Sequence, residues 1–393
     1  MTHLKVAIIA DMLEERWPSM DLVADMLMKQ LRSAHTDRVD ATLFRPRMRT
    51  RAGAMPIAGS SRAAFKIDRY ANRLWDYPRA ARRLASSFDV FHVVDHSYSQ
   101  VVHVLPPERT LVTCHDLDTF RSVLSPELDP RPAPFRAMTR HILAGLRKAA
   151  HVACDTEATR DALVERVNID PARTSVVPNG PHPSCSPRPE PSADAEAGRL
   201  LGPAAGHVEL LHVGSTIARK RIDVLLHVVA AVRRRRPEAR LVRVGGPFTA
   251  EQRALMRTLG LDDAITVLPF LDRSTLAAVY RRSALVLLPS EREGFGLPVL
   301  EALACGTPIV ASDIEPLREV GGDAVEYCDP ENVQAWTDTV LRLLAESADR
   351  ERRDARRAAG IARASSFSWS RYAAQVAALY SRIAAQDGAV AAT

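Results

Sequence analysis

Short apolar runs alternating with helical pattern set the limits on what this chain can fold into. LKVAIIA (4–10), DATLFRP (40–46), VFHVVDH (90–96), RTLVTCHD (109–116), HVACDT (151–156) and TSVVPNG (174–180) read as strands. DLVADMLMKQLRSA (21–34) reads as a helix between the first two. Runs this apolar belong to strands covered on both faces, which means a parallel sheet with helices on each side. The composition then shifts. PHPSCSPRPEPSADAEAGRLLGPAAGH (181–207) is rich in Pro, Ala and Ser and reads as a linker. Beyond it the rhythm restarts with ELLHVGS (209–215), the helical RIDVLLHVVAAVRRRR (221–236), ARLVRVGG (239–246), AITVLPF (264–270), ALVLLPS (284–290) and TPIVAS (307–312). The expected architecture is therefore α/β: two consecutive Rossmann-like domains with parallel sheets, a reading that 393 residues accommodate. In such sheets ligands bind in the loops at the carboxyl ends of the strands.

Composition narrows the class. Hydrophobic residues make up 46% and charged residues 25%, as in ordinary globular proteins. No stretch reaches the roughly 18 unbroken apolar residues of a membrane-spanning helix. The apolar run near the N-terminus is short and lacks a small-residue cleavage site, so it reads as a first strand and not as a signal peptide. Five cysteines, at 114, 154, 185, 305 and 328, form no CxxC pair. Neither a disulfide framework nor a zinc site is suggested, and a cytoplasmic location is expected. The net charge of +6 favours anionic partners. Much of the basic character lies between Arg45 and Arg83, with Trp75 and Tyr77 among the arginines. That segment reads either as a solvated helical face or as a surface that docks peripherally on anionic lipid headgroups. No aromatic–basic repeat or zinc knuckle supports nucleic acid.

The strongest chemical signal is SEREGFGLPVLEALACGTPIVAS (290–312). A buried strand ends at Ser290, a glycine-containing turn follows, and Pro298 suits the first turn of the next helix. Gly294 and Gly296 let the backbone approach a ligand closely. The N–H groups around Phe295, Gly296, Leu297 and Val299 sit at a strand-to-helix junction, which favours phosphate. Glu293 in the turn and Glu301 on the helix place two carboxylates beside that anion site, suited to accept from sugar hydroxyls. A second signal is LLHVGSTIARKRIDVLLHVV (210–229), where Gly214 ends a strand and Arg219, Lys220 and Arg221 precede a helix. Cations beside a glycine turn suit a diphosphate.

EGFGLPVLEALACGTPIV resembles the donor-binding signature of glycosyltransferase family 4, which has the GT-B fold. The resemblance implies that Glu293 binds the donor sugar, that the amides of Gly294, Phe295, Gly296, Leu297 and Val299 hold sugar and phosphate, and that Glu301 binds the ribose. The 210–229 segment is similar to the family's Gly-Arg…Lys-Gly stretch, with Lys220 on the family lysine. Ser215 stands where arginine is usual and Arg221 where glycine is usual, and Arg219 is a candidate replacement for the missing cation. VGGPFT (244–249), with Gly245, and LPFLDRSTLAAVY (268–280), with Phe270, resemble the base-binding side. His115 in LVTCHDLDTF corresponds to a family histidine that contacts the donor. Asp95, His96 and Tyr98 in DHSYSQ are acceptor-side candidates. The first βα loop lacks the family's Gly-Gly pair and has Trp17 and Ser19 instead, Ser19 reading first as a helix N-cap. FSWSRYAAQVAALYSRI (367–383) resembles the terminal helix that crosses back to the first domain.

These resemblances imply domains at 1–180 (acceptor) and 208–366 (nucleotide-sugar), the linker at 181–207 and a returning helix from 367 to 393. They imply retaining transfer of a sugar from a nucleoside diphosphate, GDP-mannose or a UDP-sugar as first candidates. The acceptor would be a hydroxyl of a glycan, lipid-linked or small molecule. No metal is required and no cofactor is expected beyond the nucleotide-sugar co-substrate. The alternatives are a phosphorylase or synthase on the same fold, or a non-catalytic protein that binds nucleotide or membrane.

Overall fold

A computed structural model describes residues 3–54, 62–203 and 206–391. The chain divides into two compact units, one formed by Met1–Asn179 with Trp369–Thr393, the other by Gly180–Ser368. The first contains strands β1 (Leu4–Ile9), β2 (Val39–Phe44), β3 (Val90–Val93), β4 (Thr110–Cys114), β5 (His151–Cys154) and β6 (Thr174–Val176). They form one sheet in the order β2-β1-β3-β4-β5-β6, and every pairing is parallel. The second contains β7 (Val208–Val213), β8 (Ala239–Val244), β9 (Ile265–Leu268), β10 (Leu285–Leu288), β11 (Ile309–Ser312) and β12 (Glu326–Cys328). Its order is β12-β11-β10-β7-β8-β9, again all parallel. Both units are thus Rossmann-like α/β sheets. The apolar runs form the strands because β3, β4, β5, β10 and β11 are buried along their whole length.

Two features depart from the sequence reading. The 181–207 stretch is not simply a linker, because Pro191–Leu201 forms a helix whose Ala193, Ala197 and Leu201 pack into the core of the second unit. Its small residues, which suggested flexibility, allow close packing against the helix Arg273–Arg282. The edge strand β12, only Glu326–Cys328, was not expected, because three residues carry no readable period.

The helix Trp369–Ala391 belongs to the first unit, where it packs on the helix Pro18–Ala34. It is fixed by chemistry as well as area. The Tyr380 hydroxyl lies 2.7 Å from His92 Nδ1, and His92 Nε2 lies 2.7 Å from the Thr113 hydroxyl. Burial, then the neighbouring His115, push the His92 imidazole down to about 3. A neutral ring with one donor and one acceptor nitrogen fits between two hydroxyls.

Candidate functional site

Strand order locates the sites. In the second unit the order reverses at β7 and β10, which lie side by side while their chain connections lead to opposite edges. The loops after these two strands diverge, and the crevice they leave is where a ligand enters such a sheet. The loop after β7 carries Gly214 to Arg221, and the loop after β10 carries Ser290 to Gly296.

Side chains from the two loops meet at Glu293. Its Oε1 accepts from Lys220 Nζ and from the Ser290 hydroxyl at 2.7 Å, and its Oε2 accepts from Arg219 at 3.1 Å. Arg219 also donates to the Arg292 carbonyl at 2.7 Å. Burial alone would raise the Glu293 carboxyl, but the Lys220 and Arg219 charges overcome it and hold it at about 2. Glu293 is therefore an anion at neutral pH and accepts hydrogen bonds; it is no proton donor. Eight residues on, Glu301 is buried on the helix Leu297–Cys305. It accepts from the Tyr280 hydroxyl at 3.0 Å and faces Arg273 at 3.7 Å, and burial raises its carboxyl above the usual range.

The turn between them needs its glycine. Gly296 has φ +91° and stands at the N-cap of Leu297–Cys305, with Pro298 in the first turn. Among the described residues the N–H groups of Phe295, Gly296 and Leu297 have no acceptor, as an anion-binding helix start requires. Val299 departs from the expectation: its N–H is spent on the Gly296 carbonyl at 2.9 Å. The Phe295 side chain is buried and packs edge-on against Phe367. Gly294 lies in the same turn, before Phe295.

The loop after β7 is braced from three directions. Glu293 holds Arg219 and Lys220, Gln252 donates to the Thr216 carbonyl at 3.1 Å, and Arg243 donates to the Gly214 carbonyl at 3.0 Å. Ser215 lies next to Gly214, half-buried. Gly245, with φ +128°, presses on this turn so closely that a Cβ there would fall 2.1 Å from the Gly214 oxygen. Phe270 stands exposed after β9.

In the first unit the order reverses at β1 and β3. Asp11 follows β1 and Asp95 follows β3, and the two buried carboxyls feel each other's charge. Burial, then the Asp95 charge, push Asp11 well above the usual carboxylate range, so Asp11 carries the proton. Asp95 caps the short helical turn His96–His103, accepting from the Ser97 N–H at 2.7 Å and the Ser97 hydroxyl at 2.5 Å. His96 is buried, with Nε2 3.1 Å from the Thr119 hydroxyl.

Three expectations for the first unit change, two on the acceptor side and one for His115 as a donor contact. Tyr98 does not line an opening: it is buried against Tyr77 and Arg73, and its hydroxyl accepts from the Met12 N–H. Ser19 is not an N-cap. The helix begins at Pro18, whose fixed φ suits the first turn, and leaves Trp17 at the cap position. Trp17 is half-exposed and donates to Glu15 at 3.1 Å. His115 has no ring nitrogen left for a ligand. Its Nδ1 lies 2.7 Å from Asp155 and its Nε2 donates to the Val94 carbonyl at 2.7 Å. Burial alone would lower it, but Asp155 raises it to about 9, so the ring is a cation with both nitrogens donating.

Residues 201–360 match the family of glycosyl transferases group 1, and residues 23–184 match glycosyltransferase family 4. The D-inositol 3-phosphate glycosyltransferase of Salinispora arenicola is 31% identical over 332 residues, covering 78% of this chain and 72% of that one. The chain is a family 4 glycosyltransferase. A like-named protein of Kineococcus radiotolerans is 34% identical over 61% of this glycosyltransferase and 59% of its own length, so the match spans less than two thirds of that relative. A solved structure of Anabaena HepE in complex with UDP and glucose shares the GT-B fold. Its TM-score is 0.71 at 18% identity, covering 97% of this chain and 100% of the other.

Of the residues carrying the site, the sequence reading of the glycosyltransferase missed Asp11, Arg243 and Ser290. Strand-end position was the available signal for Asp11 and Ser290. Arg243 had one too: a charged residue inside an otherwise apolar strand.

Proposed function

We propose that this glycosyltransferase moves a sugar from a nucleoside diphosphate to an acceptor hydroxyl with retained anomeric configuration. The observation that carries the reading is Glu293, a buried anion held by Lys220 and Arg219 beside an anion-binding helix start. Glu293 accepts from the donor's sugar hydroxyls and Glu301 from the ribose. The bond from the anomeric carbon to the diphosphate oxygen breaks, and the departing charge is met by Lys220, Arg219 and the turn amides. The acceptor oxygen attacks from the same face, and its proton passes to the departing phosphate oxygen. No metal takes part in these steps. A UDP-sugar is the first donor to test, since HepE is seen with UDP and glucose. A phosphorylated polyol is the first acceptor, since both curated relatives are named for inositol 3-phosphate. The first unit receives it near Asp95 and His96. His115 acts by position, holding the ends of β3, β4 and β5 rather than touching the donor.

We also infer peripheral contact with anionic membrane. In the described part of 45–83, Phe65, Ile67, Leu74 and Trp75 are exposed beside Lys66, Arg82 and Arg83. Residues 55–61 and the Arg62 side chain lie outside the described residues.

The site is tested with Glu293→Gln and Lys220→Ala, reading release of nucleoside diphosphate from UDP-glucose and GDP-mannose. Turnover is expected to fall by about two orders of magnitude or more, the range for lost transition-state charge stabilisation. The wild-type protein is expected to gain about 2.7 kcal/mol of stability at 100 times the dissociation constant of the right nucleotide. Near-wild-type turnover in both variants overturns the site.

A further inference from the structure

Strand β8 reads ARLVRV, and Arg243 within it is fully buried, with 0% of its surface exposed. A buried guanidinium ordinarily has a carboxylate partner, because desolvating an unpaired cation is costly. Arg243 has none among the described residues. Its guanidinium donates to the Gly214 carbonyl at 3.0 Å and to the Gly246 carbonyl, and stacks 5.0 Å from the Phe248 ring centroid. The other two cations of the site, Arg219 and Lys220, both reach Glu293.

The geometry points to a role on the diphosphate turn. Gly214 is flanked on two sides: its oxygen faces Arg243, while a Cβ on it would lie 3.8 Å from Lys220 Cδ and 3.3 Å from His212 Cε1. His212 is fully buried, and its ring nitrogens have no hydrogen-bond partner. Burial, then Arg243 and Lys220, push it down to about 3, so it adds no charge. In a trans peptide the carbonyl oxygen and the next N–H point opposite ways. An Arg243 that draws the Gly214 oxygen inward therefore turns the Ser215 N–H outward.

We propose that Arg243 is the positioning cation of the diphosphate subsite, supplying from beneath the turn the charge that Ser215 does not carry. The proposal rests on the donor reading of this site. The bound diphosphate is then the counter-ion that Arg243 lacks, and the Ser215 N–H is its aimed donor. Arg219 and Lys220 both share their charge with Glu293, whereas Arg243 has no carboxylate partner among the described residues.

The test compares UDP, GDP, uridine and guanosine by calorimetry on the full chain. Arg243→Gln keeps hydrogen-bond donors and removes the charge. It is expected to weaken the preferred diphosphate about tenfold or more and its nucleoside less than threefold, and to flatten the ionic-strength dependence of diphosphate binding. Adding Ser215→Arg to that variant is expected to restore most of the loss. Arg243→Lys keeps the charge while giving up the two-carbonyl fork and the ring stacking; it is expected to keep the ionic-strength dependence of diphosphate binding, and answers the same question should the glutamine variant not fold. Equal losses for diphosphate and nucleoside, unchanged diphosphate binding in Arg243→Gln, or a flattened ionic-strength dependence in Arg243→Lys each overturn the role. Wild-type protein that binds neither diphosphate overturns the donor reading itself.

Discussion

Arg221 shows how a single residue can depart from a family pattern while the backbone does not. Glycine is usual there, and Arg221 takes a glycine's conformation, φ +46° and ψ +50°, between the short turn Ala218–Lys220 and the helix Ile222–Arg233. A side chain in the left-handed region costs about 1 kcal/mol. Only part of that cost is offset by an ion pair with Asp223 at 3.0 Å, whose aspartate side is half-exposed. Arg221→Gly is thus expected to raise stability by about 0.5–1 kcal/mol in urea unfolding with turnover unchanged. A loss above about 1 kcal/mol would show that the arginine is required. Glu293 and Lys220 were legible in the sequence, because the motif around each is dense. Their partnership was not, since they lie 73 residues apart. Val299 was misread for a related reason: a strand-to-helix junction announces outward N–H groups without saying which one closes the first turn.

Among the elements, β3, β4 and β5 are joined at their carboxyl ends by His115, which reaches Val94 on one side and Asp155 on the other. Its folded value of about 9 lies above the usual histidine range. The stabilisation from this pair is therefore fully present below about pH 6.5, the unfolded value, and is lost as pH rises through about 9. Wild-type stability is expected to fall by about 3 kcal/mol across that window, and Asp155→Asn to flatten the dependence. Equal pH profiles for the two proteins, read by urea unfolding at pH 6, 7.5 and 9, would sink this account. Element by element, the strands were readable where burial made the runs apolar. The Pro191–Leu201 helix was missed because alanine and serine serve loops and tight helix contacts alike. The edge strand β12 was missed because it is too short to show a period.

For the whole molecule, charge was easy to count and hard to place. Five of the eleven basic residues of 45–83 are committed within the first unit: Arg45 to Asp21 and Asp25, Arg49 and Arg51 to Asp76, and Arg69 and Arg73 to Glu15. What remains exposed is smaller and more apolar than the sequence implied, with Trp75 and Ile67 each 60% exposed. Membrane contact is therefore expected to depend on inserted side chains as well as charge. Trp75→Ala is expected to weaken co-sedimentation with anionic vesicles about as much as Arg82→Ala with Arg83→Ala does, and only the wild-type charge contribution should fade at high salt. No sedimentation at low salt would remove the membrane reading. By itself the sequence determined the strands, the two α/β units and the donor motif, because hydrophobic period and turn chemistry are local. Tertiary structure alone decided which charged groups meet: Glu293 with Lys220, Asp11 with Asp95, His115 with Asp155, and Arg243 beneath Gly214. Those partners are brought together by strand order, and the worth of a buried charge is set by its neighbours in space.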